Sequence, residues 1–446
     1  MSQTLPIPAE AEALNQRLSP VLAALLSDLG RRAYFPAKGI PKQSQEAKAL
    51  AHKSNATIGI CLDDDGEPMG FAPAKRILEA AGMAPKKILS YPPALGLPEY
   101  RSAWQKRLIA NSKGILEGRI GLPIPTFGIT HAIGIMADLF LDEGDTLIVP
   151  DQFWGNIRLT ATTRSKATIK TFPHFNSQGG FNVTAMKEAL AAEAGCSKRI
   201  LYLNAPNNPT GYTPSKKEAD QIREALQQVA ADQTPTLIIS DEAYFGFFFD
   251  DQTIDRHLVS YMADLPKSMI PVLVSGPTKE LCVWGVRAGF ITFIDLAPED
   301  LEVLEAKISG MMRAYNSFGS ALIQSFITNI MEANDFHQEE ARVRAKLRER
   351  GLAAHQEAFK SEYLRSWTPY PFNSGYFCLV KLAKGLDANS VRLRLLADEG
   401  VGTIAVGKDN LRVAFSSTPT KDLPEVFASI DRVVQAMLSG EPSSPN

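Results

Sequence analysis

Six short, apolar, β-rich runs with helix-forming stretches between them are the feature of this sequence that most restricts its fold. The runs are 146–149, 167–170, 199–203, 236–239, 271–274 and 289–293. Apolar strands joined by helical crossovers are typical of a parallel sheet covered on both faces. Ligands of such sheets bind beyond the carboxyl ends of the strands. Polar residues follow three of these runs, at Asn204, at Asp241 and from Ser275 to Lys279, so we expect the site there.

Composition excludes several classes of protein. The 446 residues are 45% apolar and 22% charged, which suits two or three packed domains, or one large α/β unit with an appendage. The net charge of −2 and the absence of a long basic run argue against nucleic acid or an anionic membrane as a partner. The four cysteines form no C-x-x-C pair, which argues against structural zinc and disulfides. With no leader-like start and no membrane-spanning apolar stretch, we expect a cytoplasmic protein.

The organisation of the chain changes after residue 320. A long charged helix is predicted there, followed by alternating strands and helices, which indicates a second, smaller α+β domain. We therefore predict an N-terminal arm that also contributes to the small domain (1–72), a large domain (73–315) and a C-terminal small domain (316–446). Within the large domain, Thr213 is a plausible N-cap for one of the helices.

Lys279 is the first candidate for chemistry. The apolar run 271–274 leads into the polar turn Ser275–Lys279, at the carboxyl end of a predicted core strand. Desolvation of a lysine lowers its pKa and makes the amine nucleophilic toward aldehydes. Most lysines are exposed, so this interpretation depends on the other motifs of the chain.

Three motifs support it when they are taken together. They are Asn-Asn-Pro-Thr-Gly at 207–211, Asp-Glu-Ala-Tyr at 241–244, and the segment from Lys279 to Arg287. Together and in this order they resemble the class I/II aminotransferases, pyridoxal-phosphate enzymes of fold type I that include the aspartate and aromatic aminotransferases. The resemblance extends from about Tyr91 to Arg412. It implies a large domain with a mostly parallel seven-stranded sheet that binds the cofactor, plus a smaller α+β domain.

The resemblance also implies roles in binding the cofactor ring. Lys279 would form the Schiff base with pyridoxal 5′-phosphate and then move the substrate's α-proton. Asp241 would keep the pyridinium nitrogen protonated, so that the ring can act as an electron sink. Asn208 and Tyr244 match the pair that donates hydrogen bonds to the phenolic oxygen, and Trp154 matches the aromatic residue that stacks on the ring.

For the cofactor phosphate, the resemblance points to the start of a predicted helix. Gly128, Ile129 and Thr130 would offer free amides and a hydroxyl there, and Arg287 would add a charged contact. Tyr91 matches a tyrosine that reaches the phosphate of the partner subunit. This correspondence implies a homodimer with active sites at the interface.

Two arginines match substrate-binding positions of the family. Arg412 would hold the α-carboxylate in a bidentate pair, which lysine could not form. Arg313 falls where dicarboxylate-specific members bind the distal carboxylate from the neighbouring subunit. We therefore expect 2-oxoglutarate/glutamate as one substrate pair and an aromatic or aspartate-like amino acid as the other donor. The acidic loop Asp63–Asp65 would repel an acidic substrate if it lay near the pocket.

The chain departs from the family pattern in three places. Gly276 stands where a phosphate-binding serine is usual, and Ser275 and Thr278 are both candidates to replace it. Asn373–Tyr376 replaces a common glycine pair, and 59–65 lacks the usual glycine–glutamate–proline signature. No metal site is expected.

Other functions share some of these motifs. A lyase or decarboxylase on the same fold would need the same cofactor-binding residues, so the motifs do not separate either from an aminotransferase. A sensor domain fused to a DNA-binding helix is a weaker alternative, because the first sixty residues hold no basic recognition helix. A nicotinamide-linked dehydrogenase lacks support because no G-x-G-x-x-G follows an early strand.

Overall fold

The computed structural model describes residues 7–34, 76 and 78–441, and its largest element is a sheet of seven strands. In chain order these strands are β1 Ile124–Thr126, β2 Thr146–Pro150, β3 Thr168–Phe172, β4 Arg199–Asn204, β5 Thr236–Asp241, β6 Met269–Ser275 and β7 Gly289–Phe293. Their order in the sheet is β1-β7-β6-β5-β4-β2-β3. Neighbours from β3 to β6 pair in parallel, and only β7 runs antiparallel to both of its neighbours. The predicted mostly parallel seven-stranded sheet is confirmed.

A second, antiparallel sheet lies near the carboxyl end of the chain. Its strands are β8 Trp367–Pro369, β9 Cys378–Leu382, β10 Ile404–Val406 and β11 Asn410–Val413, in the order β10-β11-β9-β8. It has a hydrophobic core of its own, in which Trp367, Phe415 and Phe427 are fully buried. This is the smaller α+β unit expected from the sequence.

Helices cover both sheets, and short 3₁₀ turns join several of them. The helices of the described residues are α1 Ala9–Asn15, α2 Pro20–Leu25, α3 Asp28–Arg32, α4 Pro85–Ile88, α5 Pro98–Asn111, α6 Ile129–Phe140, α7 Asn156–Arg158, α8 Val183–Ala191, α9 Lys216–Val229, α10 Pro277–Glu280, α11 Pro298–Asn316, α12 Ala321–Met331, α13 Phe336–Ala358, α14 Ala388–Glu399 and α15 Leu423–Ser439. Within the part of the chain covered by the structure, none of them is both long enough and apolar enough to cross a bilayer.

The large sheet is buried on both faces, as its apolar strands require. Helices α2, α6 and α11 pack on one face, while α8 and α9 pack on the other. Helices α5 and α12 pack against Leu273 and Phe290 near the β7 edge. Helix α12 therefore packs with the large sheet, although it follows the predicted boundary at residue 315. The predicted domain limits stay a prediction, and much of the arm lies outside the described residues.

Register brings three polar strand ends to one edge of the sheet. Asn204 pairs with Asp241 between β4 and β5, and Asp241 pairs with Val274 between β5 and β6. Ser275, the last residue of β6, leads directly into the turn that carries Lys279. The carboxyl ends of these parallel strands therefore form the floor of one site.

Candidate active site

Lys279 lies on α10, a single helical turn beyond the end of β6, and it is half-buried. Its Nζ atom is 5.5 Å from the centroid of the Tyr244 ring. Burial lowers the pKa of Lys279; the Asp241 carboxylate opposes this shift and the Arg287 guanidinium adds to it. A lowered pKa increases the fraction of neutral amine near pH 7, so the side chain suits nucleophilic attack on an aldehyde.

Asp241 is the last residue of β5 and is almost completely buried. Tyr202 on β4 donates its hydroxyl to Oδ2 at 2.5 Å, and the backbone N–H of Ala243 donates to Oδ1 at 3.1 Å. Burial raises the pKa of Asp241 against the Tyr202 hydrogen bond and the charge of Lys279. A buried carboxylate in this position fits a protonated ring nitrogen, which would stabilise its charge.

Asn208, Tyr244 and Arg412 form a connected polar group beside it. Arg412 donates from Nη1 to Oδ1 of Asn208 at 2.8 Å, and both residues lie close enough to the Tyr244 hydroxyl to lower its pKa in part. Burial raises the pKa of Tyr244 to about 12, so its hydroxyl keeps its proton at neutral pH. Asn208 and Tyr244 can therefore both act as donors toward an oxygen of a ligand.

Arg412 has the environment of an anion-binding side chain. Its guanidinium lies over the Phe377 ring, with Cζ 4.1 Å from the ring centroid. Its Nε is buried and has no hydrogen-bond partner among the described residues. A buried guanidinium N–H left unpaired is unfavourable by about 1–3 kcal/mol. A carboxylate that accepted this hydrogen bond would remove that penalty.

The start of α6 forms a second candidate anion-binding site, made by the residues around Gly128 and called the phosphate cradle below. Gly128 precedes the helix with φ of +81°, and no side chain caps the amides of Ile129 and Thr130. The positive φ favours glycine at position 128, and a Cβ there would lie 2.6 Å from Nη2 of Arg287, so this guanidinium would have to shift. Uncapped amides of a twelve-residue helix, next to an arginine, fit a phosphate group.

Gly276 cannot be replaced by the usual serine without a backbone shift. A Cβ at 276 would lie 2.7 Å from Cα of Gly289 and 2.8 Å from the carbonyl oxygen of Ala288. The two candidate replacements are buried and hydrogen-bonded inside the protein: Ser275 Oγ accepts from Trp104 at 3.1 Å, and Thr278 Oγ1 donates to the Ala288 carbonyl at 2.8 Å. The cradle is thus lined by the amides at the start of α6 and by Arg287, while the Thr278 hydroxyl donates to Ala288 and Ser275 Oγ accepts from Trp104.

Three predicted residues make no hydrogen bond, ion pair or ring contact with Lys279 among the described residues. Trp154 is partly buried and packs against the hydrophobic core that includes α6. Tyr91 is 65% exposed, with its ring 5.1 Å from that of Phe318. Arg313 lies 4.8 Å from the same ring and donates to Ser317 at 2.7 Å. In the described part of one chain, no contact joins Tyr91 or Arg313 to Lys279. The acidic loop Asp63–Asp65 lies outside the described residues.

Sequence reasoning missed Tyr202 and Phe377, which contact Asp241 and Arg412 directly. Tyr202 is the one hydroxyl-bearing side chain within 200–203, where the other residues are isoleucine or leucine, and that exception could have marked it. Phe377 had no comparable signal. In the described ranges, no group of three or more His, Cys, Asp or Glu side chains could hold a metal ion.

The fold and this arrangement of groups define a class of protein. A lysine of lowered pKa, a buried carboxylate and a helix-terminal anion cradle at one edge of a mostly parallel sheet match the needs of pyridoxal phosphate in fold type I enzymes. The model of the family "aminotransferase class I and II" matches residues 51–430. The chain belongs to this family, whose members use pyridoxal phosphate. The predicted family, fold, cofactor and class of enzyme, a pyridoxal-phosphate-dependent transferase, are confirmed.

Curated relatives and solved structures agree with the family match. The mitochondrial aspartate aminotransferase of Schizosaccharomyces pombe is 25% identical over 269 residues, which cover 59% of this chain and 59% of that protein. The aspartate aminotransferase of Sulfurisphaera tokodaii is 22% identical over 82% of this chain and 88% of its own length. The fold matches a crystal structure of an aminotransferase from Anaerococcus prevotii with a TM-score of 0.69 and 24% identity, over 97% of this chain and 99% of that one.

Proposed function

We propose that the chain moves an amino group between an L-amino acid and a 2-oxo acid such as 2-oxoglutarate. The observation that carries this proposal is the placement of three side chains. Asp241 ends β5 and Lys279 follows β6 at the same edge of the large sheet, and Arg412 nearby has a buried Nε with no hydrogen-bond partner among the described residues. When bound, pyridoxal phosphate withdraws electrons from the substrate's α-carbon. Lys279 Nζ removes the proton from that carbon, and its lowered pKa favours this role as a base.

The neighbouring side chains orient the reactants. Arg412 binds the substrate α-carboxylate through Nε and the second terminal nitrogen, since Nη1 already contacts Asn208. In the bound cofactor, Asp241 would pair with the ring nitrogen, Asn208 and Tyr244 would donate to the ring oxygen, and Trp154 would stack on the ring. The phosphate binds at Gly128, Ile129 and Thr130 beside Arg287, in the cradle described above.

A single-turnover assay tests the proposal. The holoenzyme is mixed with one amino acid at a time, without a 2-oxo acid. Transamination predicts loss of the near-visible absorbance band and one equivalent of 2-oxo acid, with no ammonia or carbon dioxide. Ammonia release would instead support a lyase, and carbon dioxide release a decarboxylase; either result would contradict the proposal.

We further propose a homodimer in which Tyr91 and Arg313 serve the partner's site. Both side chains contact Phe318 in an exposed cluster that has no contact with their own Lys279. A cytoplasmic location is proposed as well, because the described cysteines are all free thiols.

The shared site predicts complementation between two inactive variants. Tyr91→Phe homodimers mixed with Arg412→Ala homodimers should form hybrids in which one site has both residues intact. Random exchange at equal concentrations would restore about one site in four. Activity is measured after subunit exchange has been verified by mass spectrometry of the dimers. Absence of recovery after complete exchange would place both residues in the same subunit's site.

Arg313→Ala tests the expected substrates. If Arg313 binds a distal carboxylate, its loss removes a charge-assisted contact of about 2–3 kcal/mol, so kcat/KM for acidic substrates should fall roughly 30- to 150-fold. The kcat/KM for an aromatic amino acid, measured on the same preparation, should change little. Equal losses for both kinds of substrate would assign Arg313 a structural role.

Gly276→Ser tests the phosphate cradle. The added Cβ would displace Ala288 and Gly289, which directly follow Arg287 and lie against the start of α6, an overpacking effect of about 1–3 kcal/mol or roughly 5- to 150-fold in affinity. Binding of pyridoxal phosphate to the apoprotein should weaken by this factor, and binding of pyridoxal, which lacks the phosphate, should weaken less. Gly285→Ala is the control, because no atom lies within 4 Å of its new methyl group. Equal weakening for pyridoxal phosphate and pyridoxal would contradict the assignment of the start of α6 and Arg287 as the phosphate site.

A further inference from the structure

Helix α5 contacts both ends of the turn Ser275–Glu280, which carries Lys279 and is called the lysine turn below. Trp104 Nε1 donates to Ser275 Oγ at 3.1 Å, four residues before Lys279. Arg107 donates from Nε and Nη2 to Oε2 of Glu280, the residue directly after Lys279, at 3.1 and 2.9 Å. Because Trp104 and Arg107 are three residues apart on one helix, their side chains project from the same face. The guanidinium of Arg107 lies 5.8 Å from the Trp104 ring.

These contacts are buried, which makes their geometry matter. Trp104 and Ser275 are fully buried, and the side chains of Arg107 and Glu280 are 8% and 1% exposed. Arg107 also donates to Glu340 of α13 at 2.5 Å. Burial raises the pKa of the Glu280 carboxyl despite the charge of Arg107. A buried carboxylate depends strongly on its partner, so Glu280 has little freedom to leave Arg107.

The rest of the turn is also held by its backbone and by stacking. Trp104 stacks on Phe290 of β7 at 4.9 Å with an interplanar angle of 11°, and so connects α5 to the strand beyond the turn. The hydroxyl of Tyr376 donates to the carbonyl of Lys279 at 3.2 Å. The ends and the backbone of the turn are therefore fixed, whereas the Lys279 amine, 5.5 Å from the Tyr244 ring centroid, makes no hydrogen bond to a residue that the structure describes.

We propose that Trp104 and Arg107 are positioning residues for Lys279. Their hydrogen bonds hold both ends of the turn Ser275–Glu280 against α5. Nζ is thereby kept where it can attack the cofactor's aldehyde and reach the substrate's α-carbon. The inference rests on the proposed function, because the position of Nζ matters only if Lys279 bonds to the cofactor. A displacement of about 1 Å can lower such a rate by about 100-fold.

Arg107→Lys and Trp104→Phe test this role. Lysine keeps the charge but loses the paired donors, and phenylalanine keeps the stacking on Phe290 but loses the N–H. The rate of covalent attachment of pyridoxal phosphate to the apoprotein is followed by the near-visible band and by borohydride trapping. We expect each variant to slow attachment about 10- to 100-fold. In a Lys279→Ala background, the same changes should alter non-covalent affinity for pyridoxal phosphate less than about twofold, because the hydrogen bonds of Trp104 and Arg107 go to Ser275, Glu280 and Glu340 and to none of the proposed cofactor-binding residues.

Arg101→Lys provides a matched control on the same helix. The Arg101 side chain is 9% exposed and contacts Glu305 and the carbonyls of Leu122 and Pro123, with no contact to the lysine turn. The Arg101→Lys change should lower the thermal stability of the apoprotein without slowing the covalent attachment of pyridoxal phosphate.

The outcomes separate the two proposals. If the wild type never attaches pyridoxal phosphate covalently, the proposed function fails. If the wild type attaches it and both Arg107→Lys and Trp104→Phe do so at the normal rate, only the positioning role fails. That role also fails if Arg101→Lys slows attachment equally, or if non-covalent affinity in the Lys279→Ala background falls as much as the attachment rate. Should Arg107→Lys not fold, Trp104→Phe alone decides between these results.

Discussion

Replacement of Lys279 by alanine is expected to abolish turnover while pyridoxal phosphate still binds without a covalent bond. The variant lacks both the amine that bonds to the cofactor and the base that moves the α-proton. Loss of the proton transfer alone lowers such rates by about 10²- to 10⁴-fold. Asp241, Asn208, Arg287 and the start of α6 remain, so the cofactor should still be retained on a desalting column. Turnover is measured as 2-oxo acid formed, and binding by absorbance.

Lys346→Ala is the control for this variant. Lys346 forms an exposed pair with Glu349 on α13, and such pairs contribute little. Its turnover should match the wild type. Covalently bound cofactor or substantial turnover in the Lys279→Ala protein would show that another lysine performs the chemistry.

Asp241→Asn is expected to keep the cofactor and lose several powers of ten in rate. Asparagine has nearly the same shape and can still accept the hydrogen bond of Tyr202, so the change removes mainly the negative charge. Without that charge the ring nitrogen is not held protonated, and the transition state at the α-carbon loses its stabilisation. The measurement is the single-turnover rate at saturating amino acid, with cofactor content determined from the same sample.

Tyr202→Phe extends this test. The Tyr202 hydrogen bond lowers the pKa of Asp241, so its removal should raise that pKa further and weaken the carboxylate as a partner for the ring nitrogen. We expect a smaller rate loss in the same direction. A near-normal rate in Asp241→Asn would remove Asp241 from the mechanism.

The sheet could be predicted because its strands are buried on both faces. Continuous apolar runs separated by helical stretches leave few alternatives to a parallel sheet. The starts of the helices were harder to predict. The helix expected after Thr213 is capped by Ser215, whose side chain accepts from the Glu218 amide in a capping box. The S-x-x-E spacing was present in the sequence and was the better signal.

The candidate site was predictable where its residues end strands, as Asp241 does, or follow them, as Lys279 does. Such residues meet at the same edge of a parallel sheet, however the rest of the chain is folded. The contacts of Trp104 and Arg107 could not be predicted in this way, because they depend on how α5 is rotated and placed against β6 and β7. The role of Gly276 was hidden for a similar reason. Its lack of a side chain matters only because Ala288 and Gly289 of the neighbouring segment come within 3 Å of the missing Cβ.

The most direct test of the central claim is to locate the covalent bond between cofactor and protein. The holoenzyme is reduced with borohydride, digested, and its peptides are sequenced by mass spectrometry. The placement of Lys279 beside Tyr244 and at the strand edge of Asp241 predicts a phosphopyridoxyl group on Lys279 and on no other lysine. Modification of a different lysine, or none after reduction, would contradict the proposed active site.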